Sequence, residues 1–364
     1  MQWSSQQDDA LKQVARWLKD GSSQVFRLFG YAGTGKTTLA KHIAEHVDGD
    51  VLFGAYTGKA AYVLRSKGCE GASTIHGMIY RPDGGSEGDT PNFALKRDCP
   101  AAKAELIIID ECSMVDDALG QDLLSFGNKV LVLGDPGQLP PVRGGGFFTA
   151  GEPDIMLSEV HRQAADNPII ALSMDIREGK TIDYGRYGDS RVMPQSEIDS
   201  DDIMEADQVL VGINKTRKAF NGRIRDLKGF EGQMPYSGDK LVCLRNDKAK
   251  GLLNGGIWTV ESMNGTGQSL LKMTLAPEDD ISHKTVKVRV HPVFFEGREQ
   301  ELSYAARRKS DEFDYGYALT VHKSQGSQWN NVVLFDQSSA FREHKTCWLY
   351  TAVTRAAERI TIVA

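Results

Sequence analysis

Eight residues between a strand-like segment and a helix-like segment have the pattern of a phosphate-binding loop. Residues 30–37 read GYAGTGKT and follow an apolar run at residues 25–29 that suits a buried parallel strand. Leu39, Ile43 and Val47 come next at helical spacing. Because strand, loop and helix stand in the order that phosphate binding requires, the pattern predicts a nucleoside triphosphate site.

The residue types of this loop explain the predicted chemistry. Its glycines let several backbone N–H groups point at phosphate oxygens, and the N-terminus of the next helix adds positive potential. Lys36 can reach the β- and γ-phosphates, and the Thr37 hydroxyl can ligate Mg²⁺. The residues predicted to hold the nucleotide here are Gly30, Gly33, Thr34, Gly35, Lys36, Thr37 and Thr38.

Two adjacent carboxylates and an amide follow later strand-like runs. Asp110 and Glu111 end the apolar run 106–109, and Gln138 lies in the loop after residues 131–133. The carboxyl ends of parallel strands meet in one crevice, so these side chains should face the phosphate loop. Asp110 would hold Mg²⁺ directly or through water, Glu111 can polarise an attacking water, and Gln138 is suited to sensing a γ-phosphate.

The elements that must position these residues predict an α/β fold. Helical stretches alternate with apolar strand-like runs at residues 25–29, 51–55, 106–109 and 130–133. That order is typical of a parallel sheet with helices on both faces, from which the turn-rich residues 81–98 form an excursion. A second α/β region begins near residue 156, and short β-branched runs at about 229–301 indicate a small β-barrel inserted in it.

Composition places few limits on the partner. The 364 residues are 40% hydrophobic and 25% charged, with no secretory signal and no apolar run near the ~18 residues of a membrane span. Five cysteines without a CxxC pair favour a reducing cytosol over zinc or disulfide bonds, so we expect a cytoplasmic protein without a membrane partner. The net charge of −6 argues only mildly against nucleic-acid binding, because a groove can be locally basic.

Taken together, the motifs resemble those of the superfamily 1 helicases of the B type. They are GYAGTGKTT, AYTGKAAYVL, STIHGMIY, IIIDECSMVD, VLVLGDPGQLPPV, VHRQ, DYGYALTVHKSQGSQWNNV and WLYTAVTRAAERI. The resemblance is closest to the RecD-like and phage Dda-like 5′–3′ DNA helicases, and it extends from Gln7 nearly to the last residue. It implies two RecA-like motor domains, a short pin hairpin in the first and an SH3-like β-barrel inserted in the second.

The resemblance also implies domain limits. The first motor domain would be 1–155, with the pin hairpin at 81–98. The second would combine 156–228 with 302–364, and the barrel would occupy 229–301 between those two parts.

Further nucleotide contacts follow from matching positions. Gln7 corresponds to the glutamine that recognises adenine, with its neighbour Gln6 as the alternative. Arg162 and Arg355 look like the two arginines that the second motor domain supplies to the γ-phosphate. An arginine from across a cleft would couple cleft closure to hydrolysis, because charge spreads over the γ-oxygens in the transition state.

The resemblance assigns contacts with the DNA strand to loops of both motor domains. The residues concerned are Thr57, Gly58, Lys59, His76, Thr320, His322 and Lys323. Hydroxyls, backbone N–H groups and cations suit phosphates without sequence preference. Phe93, in the pin segment, would stack on a base at the point of strand separation, or it would simply pack in a small apolar cluster. Tyr56 departs from the family, which usually has proline there.

The function implied is that of an ATP-dependent 5′–3′ DNA helicase with ATP and Mg²⁺ as cofactors. Its partners would be single-stranded and tailed duplex DNA, together with single-strand-binding, replication or recombination proteins of a bacterial or phage-infected cell. A strand-stimulated translocase with little unwinding of its own, or an RNA-directed helicase, are the alternatives. A non-catalytic, nucleotide-gated binding module is disfavoured, since it would have no need of the full set Lys36, Asp110, Glu111, Gln138 and Arg355.

Replacement of the loop lysine tests the phosphate-binding assignment. Lys36→Ala should abolish ATP hydrolysis, because no other side chain of the loop carries a positive charge to the β- and γ-phosphates. Steady-state phosphate release from the purified variant is the measurement. Continued turnover would contradict the assignment of residues 30–37.

Overall fold

The computed structural model describes residues 3–21, 23–82, 93–141, 145–159, 167–266, 270–278 and 284–364. Within those ranges the strands form two six-stranded sheets, a five-stranded antiparallel sheet and a two-stranded hairpin. None of the helices in this part of the chain is both long and apolar enough to span a membrane.

The first region contains eight strands. They are β1 (Val25–Gly30), β2 (Val51–Ala55), β3 (Ser73–Thr74), β4 (Tyr80–Pro82), β5 (Phe93–Leu95), β6 (Leu106–Asp110), β7 (Lys129–Gly134) and β8 (Ile155–Leu157). Six of them form a parallel sheet in the order β3-β2-β6-β7-β1-β8. Its central strands β6 and β7 are almost continuously apolar and buried, as expected for strands covered on both faces.

Five helices surround this sheet. They are α1 (Ser5–Asp20), α2 (Lys36–Ala44), α3 (Gly58–Ser66), α4 (Ile75–Ile79) and α5 (Asp117–Leu124), with short 3-10 helices at Pro100–Ala102 and Cys112–Met114. Polar side chains define where several of them begin. Thr57, Thr74 and Asp116 each accept a hydrogen bond from a backbone N–H of the first turn, of α3, α4 and α5 respectively.

The second region contains eleven strands. They are β9 (Gly185–Tyr187), β10 (Ser190–Met193), β11 (Gln208–Val211), β12 (Lys240–Cys243), β13 (Ile257–Thr266), β14 (Leu271–Pro277), β15 (Val286–Val290), β16 (Phe313–Tyr315), β17 (Ala318–Thr320), β18 (Trp329–Phe335) and β19 (Ala356–Val363). The second six-stranded sheet has the order β17-β11-β18-β19-β10-β9 and is parallel except for the β9–β10 pair.

Seven helices belong to the described part of this region. They are α6 (Pro168–Arg177), α7 (Ser200–Met204), α8 (Asn214–Leu227), α9 (Val293–Glu296), α10 (Tyr304–Arg308), α11 (Val321–Ser324) and α12 (Lys345–Val353), with 3-10 helices at Glu299–Glu301 and Ser338–His344. The two parallel sheets with flanking helices confirm the predicted α/β fold class.

The five-stranded antiparallel sheet has the order β15-β14-β13-β12-β16. It lies where the sequence predicts a small barrel, but β16 comes after residue 301 and pairs with β12. One hydrophobic core joins this sheet to the second parallel sheet, because Trp258 and Phe313 pack in the same cluster as Val209 and Val211. The two sheets are therefore a single packed unit, whereas the exact domain limits stay predictions.

The predicted pin segment begins and ends as an antiparallel pair. β4 and β5 pair Tyr80 with Leu95 and Pro82 with Phe93. Residues 83–92, which would form the tip of the hairpin, lie outside the described residues.

A buried ion pair ties helix α8 to the start of β12. Arg225 and Asp239 are 4% and 0% exposed, and the guanidinium Nε lies 3.0 Å from Asp239 Oδ1. The carboxylate also accepts hydrogen bonds from the Tyr317 hydroxyl and the Tyr236 backbone N–H. The guanidinium is stacked 4.3 Å from the centre of the Tyr315 ring. Every polar atom of the pair thus has a partner, the condition under which a buried charge is tolerated.

Asp239→Ala should destabilise the protein by about 3–5 kcal/mol, because it leaves the Arg225 guanidinium buried without its counter-charge. Urea unfolding followed by circular dichroism is the measurement. Arg298→Ala is the matched control, because Arg298 pairs with Glu296 and Glu301 at the surface and its loss should leave the midpoint unchanged. Equal midpoints for the two variants would contradict the structural role of the buried pair.

Candidate functional site

A cavity of about 240 Å³ lies between the two parallel sheets, and we call it the central cavity. The first region contributes the end of the loop after β1, the ends of β6 and β7, and part of α3. The second contributes the segment after α11 and the C-terminal end of α12. The predicted site residues that line it are Lys36, Thr37, Asp110, Glu111, Gln138 and Arg355, together with Asp135, Gly326, Ser327 and Thr354. The structure therefore brings the predicted catalytic and metal-binding side chains together in one place.

The loop after β1 has a conformation that its glycines make accessible. Gly33 and Gly35 both have φ of +78°, in the left-handed region that glycine adopts without strain. At Gly30, an added Cβ would meet Thr34 Oγ1 at 2.7 Å and Leu157 Cβ at 2.8 Å. These positions accept only glycine without rearrangement of the loop.

The ammonium group of Lys36 lies inside this loop. Lys36 Nζ donates to the carbonyl oxygens of Gly30, at 2.5 Å, and of Tyr31, at 2.9 Å. These two acceptors hold the charge at the place where the oxygens of a bound phosphate would be expected. A ligand that binds there has to replace them.

Oxygen atoms suited to a divalent cation lie at the end of the loop. The Thr37 hydroxyl donates to Asp110 Oδ2 at 3.1 Å, and Asp110 Oδ1 accepts from the Glu111 backbone N–H at 2.9 Å. A hydroxyl and a carboxylate are hard oxygen donors, and Mg²⁺ typically binds one or two such groups together with phosphate oxygens and water. The donor set therefore fits Mg²⁺.

Glu111 has a strained backbone and a perturbed carboxyl. Its φ and ψ of 52° and 46° lie in the left-handed region, which few residues other than glycine adopt. Burial raises the pKa of its carboxyl and the neighbouring Asp110 adds to the increase, whereas the charges of Arg355 and Lys36 oppose it. Strain and a raised pKa at one residue in a cleft are features that functional sites share.

Gln138 brings an unsatisfied polar atom to the central cavity. Its side-chain Oε1 is buried and has no hydrogen-bond partner within the described residues. An unpaired buried acceptor costs about 1–3 kcal/mol, so a donor from a bound molecule would be favoured there.

Arg355 faces the cavity without an ion pair to a carboxylate of the described residues. The guanidinium donates to the carbonyl oxygens of Thr351 and Ser327 and to the Thr354 hydroxyl, at 3.1–3.2 Å. These acceptors are all neutral, and the side chain forms no ion pair with a carboxylate of the described residues. An anion in the cavity would complete its coordination.

A phenol that the sequence analysis did not identify connects the two regions. The hydroxyl of Tyr350, on α12, donates to Asp135 Oδ2 at 2.6 Å and accepts from the backbone N–H of Ala32 at 3.0 Å. Burial raises the pKa of Tyr350, as does its contact with Asp135. Tyr350 and Asp135 lie within two of the quoted motifs, but neither motif shows that the two side chains meet.

Two more hydrogen bonds join the same motifs across the cleft. The backbone N–H of Leu139 donates to Thr351 Oγ1 at 2.8 Å, and Gln325 Nε2 donates to the Leu139 carbonyl at 3.0 Å. The segment after β7 is therefore held on both sides by the second region. Nearby, Arg177 at the end of α6 is stacked 3.6 Å from the centre of the Tyr31 ring.

The two glutamines near the N-terminus contact different segments. Gln7 is buried, and its Nε2 donates to the Thr34 carbonyl at 3.0 Å while its Oε1 caps the start of α1. Gln6 instead bonds residues 158 and 159. Gln7 is thus the glutamine that contacts the phosphate-binding loop. Arg162 lies outside the described residues.

Thr38 lines a second cavity, of about 600 Å³, that adjoins the first. Thr37 and Lys67 line both cavities, and the Trp3 and His42 rings complete the wall of the second. This second cavity is large enough and aromatic enough for the nucleoside part of a ligand whose phosphates occupy the loop.

The predicted strand contacts of the first region surround α3 and α4. Thr57 caps α3, and an added Cβ on Gly58 would meet Asn246 Oδ1 at 2.7 Å. Lys59 is buried, with its ammonium 4.9 Å from the centre of the Trp329 ring, so it faces the second region. His76 is exposed at the start of α4.

The predicted strand contacts of the second region lie at the start of α11 and on that helix, opposite α3 of the first region. Thr320 caps this helix, Lys323 is exposed, and the His322 ring lies 5.5 Å from that of Phe341. At Gly326, with φ of +75°, an added Cβ would meet Ala60 Cβ at 3.0 Å. The two sets of loops therefore approach each other closely at the side of the central cavity.

Two family models match the chain. One, described as an AAA domain, covers residues 2–193, which is more than half of the sequence. The other, described as a UvrD-like helicase C-terminal domain, covers residues 315–363.

Curated relatives include two helicases. The ATP-dependent RecD2 DNA helicase of Deinococcus radiodurans is 31% identical over 91% of this chain and 46% of its own length. The ATP-dependent DNA helicase Dda of phage T4 is 33% identical over 48% of this chain and 42% of its own. A probable conjugal transfer protein TraA of Sinorhizobium fredii is 24% identical over 99% of this chain and 32% of its own. The chain thus spans less than half the length of these relatives.

Solved structures show the same fold. A Bacteroides Pif1 helicase in complex with ADP-AlF3 and ssDNA has a TM-score of 0.61 at 18% identity, covering 100% of this chain and 93% of that one. The Pif1 helicase of Candida albicans has a TM-score of 0.59 at 19% identity, covering 100% and 94%. The prediction of RecA-like, parallel-sheet architecture is confirmed by these likenesses.

Glu111→Gln should stabilise the protein at neutral pH, because it removes an acid whose ionised form is disfavoured by burial. An acid with a raised pKa in the folded state binds its proton more tightly there than in the unfolded chain. The destabilisation is therefore present at neutral pH, shrinks as the folded carboxyl protonates, and is absent below the ordinary glutamate value of 4.5.

Midpoints of thermal unfolding of the wild type and of Glu111→Gln, recorded between about pH 5 and about pH 8, measure this pH-dependent difference in stability. The advantage of the variant should narrow toward the acid end. Glu358→Gln, at an exposed position of β19, is the control and should show no such trend. A variant less stable than the wild type at neutral pH would contradict the electrostatic argument.

Proposed function

The chain belongs to the superfamily 1 helicases of the B type, with RecD-like and Dda-like relatives, and from this premise we propose that it is an ATP-dependent 5′–3′ DNA helicase. The observation that supports the proposal best is the central cavity. There Lys36 of the first region and Arg355 of the second, two cations without carboxylate partners in the described residues, face Thr37 and Asp110. A triphosphate with Mg²⁺ would neutralise both charges at once.

Hydrolysis in this cavity uses groups that are already in place. Lys36 leaves the carbonyls of Gly30 and Tyr31 for the β- and γ-phosphates. Mg²⁺, held by Thr37 and Asp110, would supply charge neutralisation for the phosphates. Glu111, once ionised, accepts a hydrogen bond from the attacking water and polarises it.

Positioning of the water and of the developing charge falls to two further side chains. The unpaired Gln138 Oε1 accepts the second hydrogen bond of the attacking water. Arg355 binds the γ-phosphate oxygens as negative charge spreads over them in the transition state. Arg162 is proposed as the second arginine on the strength of the motif alone.

Coupling between hydrolysis and movement would pass through the hydrogen bonds across the cleft. The Tyr350 hydroxyl is bonded both to the phosphate-binding loop and to Asp135. Loss of the γ-phosphate from between Lys36 and Arg355 would therefore alter these two hydrogen bonds across the cleft. ATP favours the closed cleft by binding both regions, and its hydrolysis favours the open one.

The strand would pass over the loops that begin α3, α4 and α11. Thr57, His76, Thr320, His322 and Lys323 supply hydroxyls, ring N–H groups and a charge for phosphates. Alternating grip by the two motor domains would move the enzyme by about one nucleotide per cycle, as the resemblance implies. Because Lys59 is buried, Lys59 and Gly58 would line the side of the strand-binding groove and would not form the surface on which the strand lies.

The remaining parts follow the family plan. We propose domain limits of 1–155 for the first motor domain, 156–228 with 302–364 for the second, and 229–301 for an SH3-like barrel that includes most of the five-stranded sheet. Phe93, 56% exposed on β5, would be the separation pin. Single-strand-binding, replication or recombination proteins of a bacterial or phage-infected cytoplasm would be its partners, as the bacterial and phage relatives favour.

One observation favours a second candidate. The predicted pin segment, residues 81–98, is short, which would make a small wedge. A strand-stimulated ATPase that translocates without separating much duplex is therefore the alternative. RNA as the track is the other, because phosphate contacts do not distinguish the two sugars.

Matched duplexes with a single-stranded tail at the 5′ end, at the 3′ end or at neither end test the proposal. We expect ATP-dependent unwinding of the 5′-tailed DNA alone, because the family direction of travel loads the motor on that strand. Gel or fluorescence separation of the strands is the measurement, with Lys36→Ala as the inactive control.

Two results would change the conclusion. Absence of unwinding with ATPase activity that single strands still stimulate would select the translocase. Preference for the 3′-tailed duplex would contradict the proposed polarity. The same assay with RNA tails distinguishes the nucleic acids.

A further inference from the structure

A further cavity, distinct from the central cavity and from the cavity lined by Thr38, has no role in the chemistry described above. It measures about 540 Å³ and lies at the base of the β4–β5 hairpin, beside α4. Four cations line it, and we call it the basic cavity: they are Arg81, Lys96, Arg97 and Lys248. Asp98 is the one carboxylate among its described lining residues.

The four cations come from separate parts of the fold. Arg81 lies on β4, and Lys96 and Arg97 follow β5 directly. Lys248 reaches the cavity from the loop after β12 of the antiparallel sheet, and its Nζ lies 3.5 Å from the position of a Cβ on Gly77. Within the described residues, none of the four forms an ion pair, although Lys96 Nζ donates to the Gly77 carbonyl at 3.0 Å.

The four cations of the basic cavity differ from cations of the neighbouring antiparallel-sheet region. Arg245 and Arg307 are both bonded to Glu312, and Lys250 is bonded to Asp311. Cations that converge on a concave surface without counter-charges raise the local positive potential, although the net charge of the chain is −6. Such a cavity attracts anions of the size of a phosphate group.

Four rings run along the neighbouring surface from the central loops to the hairpin. We call Tyr56, His76, Tyr80 and Phe93 the ring row. Their successive ring centres are 6.3, 5.4 and 6.3 Å apart. The spacing permits bases to stack against individual rings along one path, and the row ends at an exposed ring, Phe93.

The ring row and the basic cavity differ in the sign of the charges beside them. The ring row is bordered by Asp122 of α5 and by Asp116, which caps that helix. The Tyr80 hydroxyl donates to Asp122 at 2.5 Å. The charge of Asp116 helps to raise the pKa of Tyr56 and opposes the burial that lowers the pKa of His76. Phosphates are repelled there, whereas neutral bases are not. The basic cavity has the opposite preference, so a strand would lie with its bases toward the rings and its phosphates toward the cations.

We propose that the basic cavity and the ring row together form a second nucleic-acid site, which holds the single-stranded stretch next to the duplex junction. The proposal rests on the proposed function and extends it, because it assigns Tyr56, Tyr80, Arg81, Arg97 and Lys248 to strand binding. The contribution of Lys248 makes the site depend on the antiparallel sheet as well as on the first motor domain. The departure from proline at Tyr56 then has a use, since it supplies the first ring of the row.

Salt-dependent binding of a fluorescein-labelled, 5′-tailed duplex separates the two halves of the site. Arg97→Ala with Lys248→Ala should reduce the slope of log affinity against log salt by about 0.7 for each phosphate that the variant no longer neutralises. Phe93→Ala should weaken binding by about fivefold or more at every salt concentration and leave the slope unchanged, since stacking releases few counterions. Lys12→Ala and Tyr184→Ala, exposed positions elsewhere, are the matched controls.

A 2-aminopurine base placed next to the junction reports stacking directly. Its fluorescence should be quenched by the wild type and by the controls, and it should recover in Phe93→Ala and in Tyr56→Leu, which keeps an apolar side chain at a half-buried position. Midpoints of thermal unfolding confirm that each variant is folded.

The outcomes distinguish this site from the proposed function. If single strands stimulate the wild-type ATPase but the site variants bind like the controls, the second site is wrong and the helicase proposal stands. If the wild type binds no nucleic acid, both fall. A weaker affinity with an unchanged slope in the Arg97 and Lys248 variant would contradict the phosphate role of the basic cavity.

Discussion

The hydroxyl of Tyr350 determines how the two α/β regions meet. It bonds the loop amide of Ala32 and the carboxylate of Asp135, and so it holds one helix of the second region against two motifs of the first. Thr351 and Gln325 extend the contact to both sides of Leu139. Arg355 lies about one turn beyond Thr351 on the same segment. Its position in the central cavity therefore depends on these hydrogen bonds between the two regions. A site divided between two regions depends on the order of the contacts that join them. Here those contacts include directional hydrogen bonds as well as the Lys59–Trp329 and Arg177–Tyr31 contacts.

The sequence predicts the parts of the site that depend on local order. Residues 30–37 and the pair of carboxylates can be recognised because strand, loop and helix lie next to one another in the chain. The role of Tyr350 cannot be recognised in this way, because its hydroxyl is bonded to a backbone N–H that lies 318 residues away in the chain. The burial of Lys59 beneath Trp329 is likewise a tertiary contact, invisible in a motif that reads as surface loop. The sequence pattern leaves β16 outside the barrel segment for the same reason: three residues have no periodicity of their own, and only pairing with β12 defines them.

Two residues of the central cavity lower the stability of the folded state. Glu111 has a left-handed backbone and a carboxyl whose ionisation is disfavoured, and Gln138 leaves a buried oxygen without a partner among the described residues. At the buried pair Arg225 and Asp239, by contrast, each polar atom is bonded. The contrast lies within one fold and separates the groups that maintain it from those that await a ligand.

The position of Lys36 has a consequence for the emptying of the site. The Lys36 ammonium is bonded to two carbonyls of its own loop, and these carbonyls compete with the phosphates of any ligand for the lysine. An incoming ligand gains only the difference between its bonds and those two, which weakens binding for every nucleotide but weakens it proportionately more for those with less charge. On the proposed function, these two carbonyls would therefore compete more effectively with a diphosphate than with a triphosphate. The lysine that is proposed to bind the phosphates would in this way also favour release of the product.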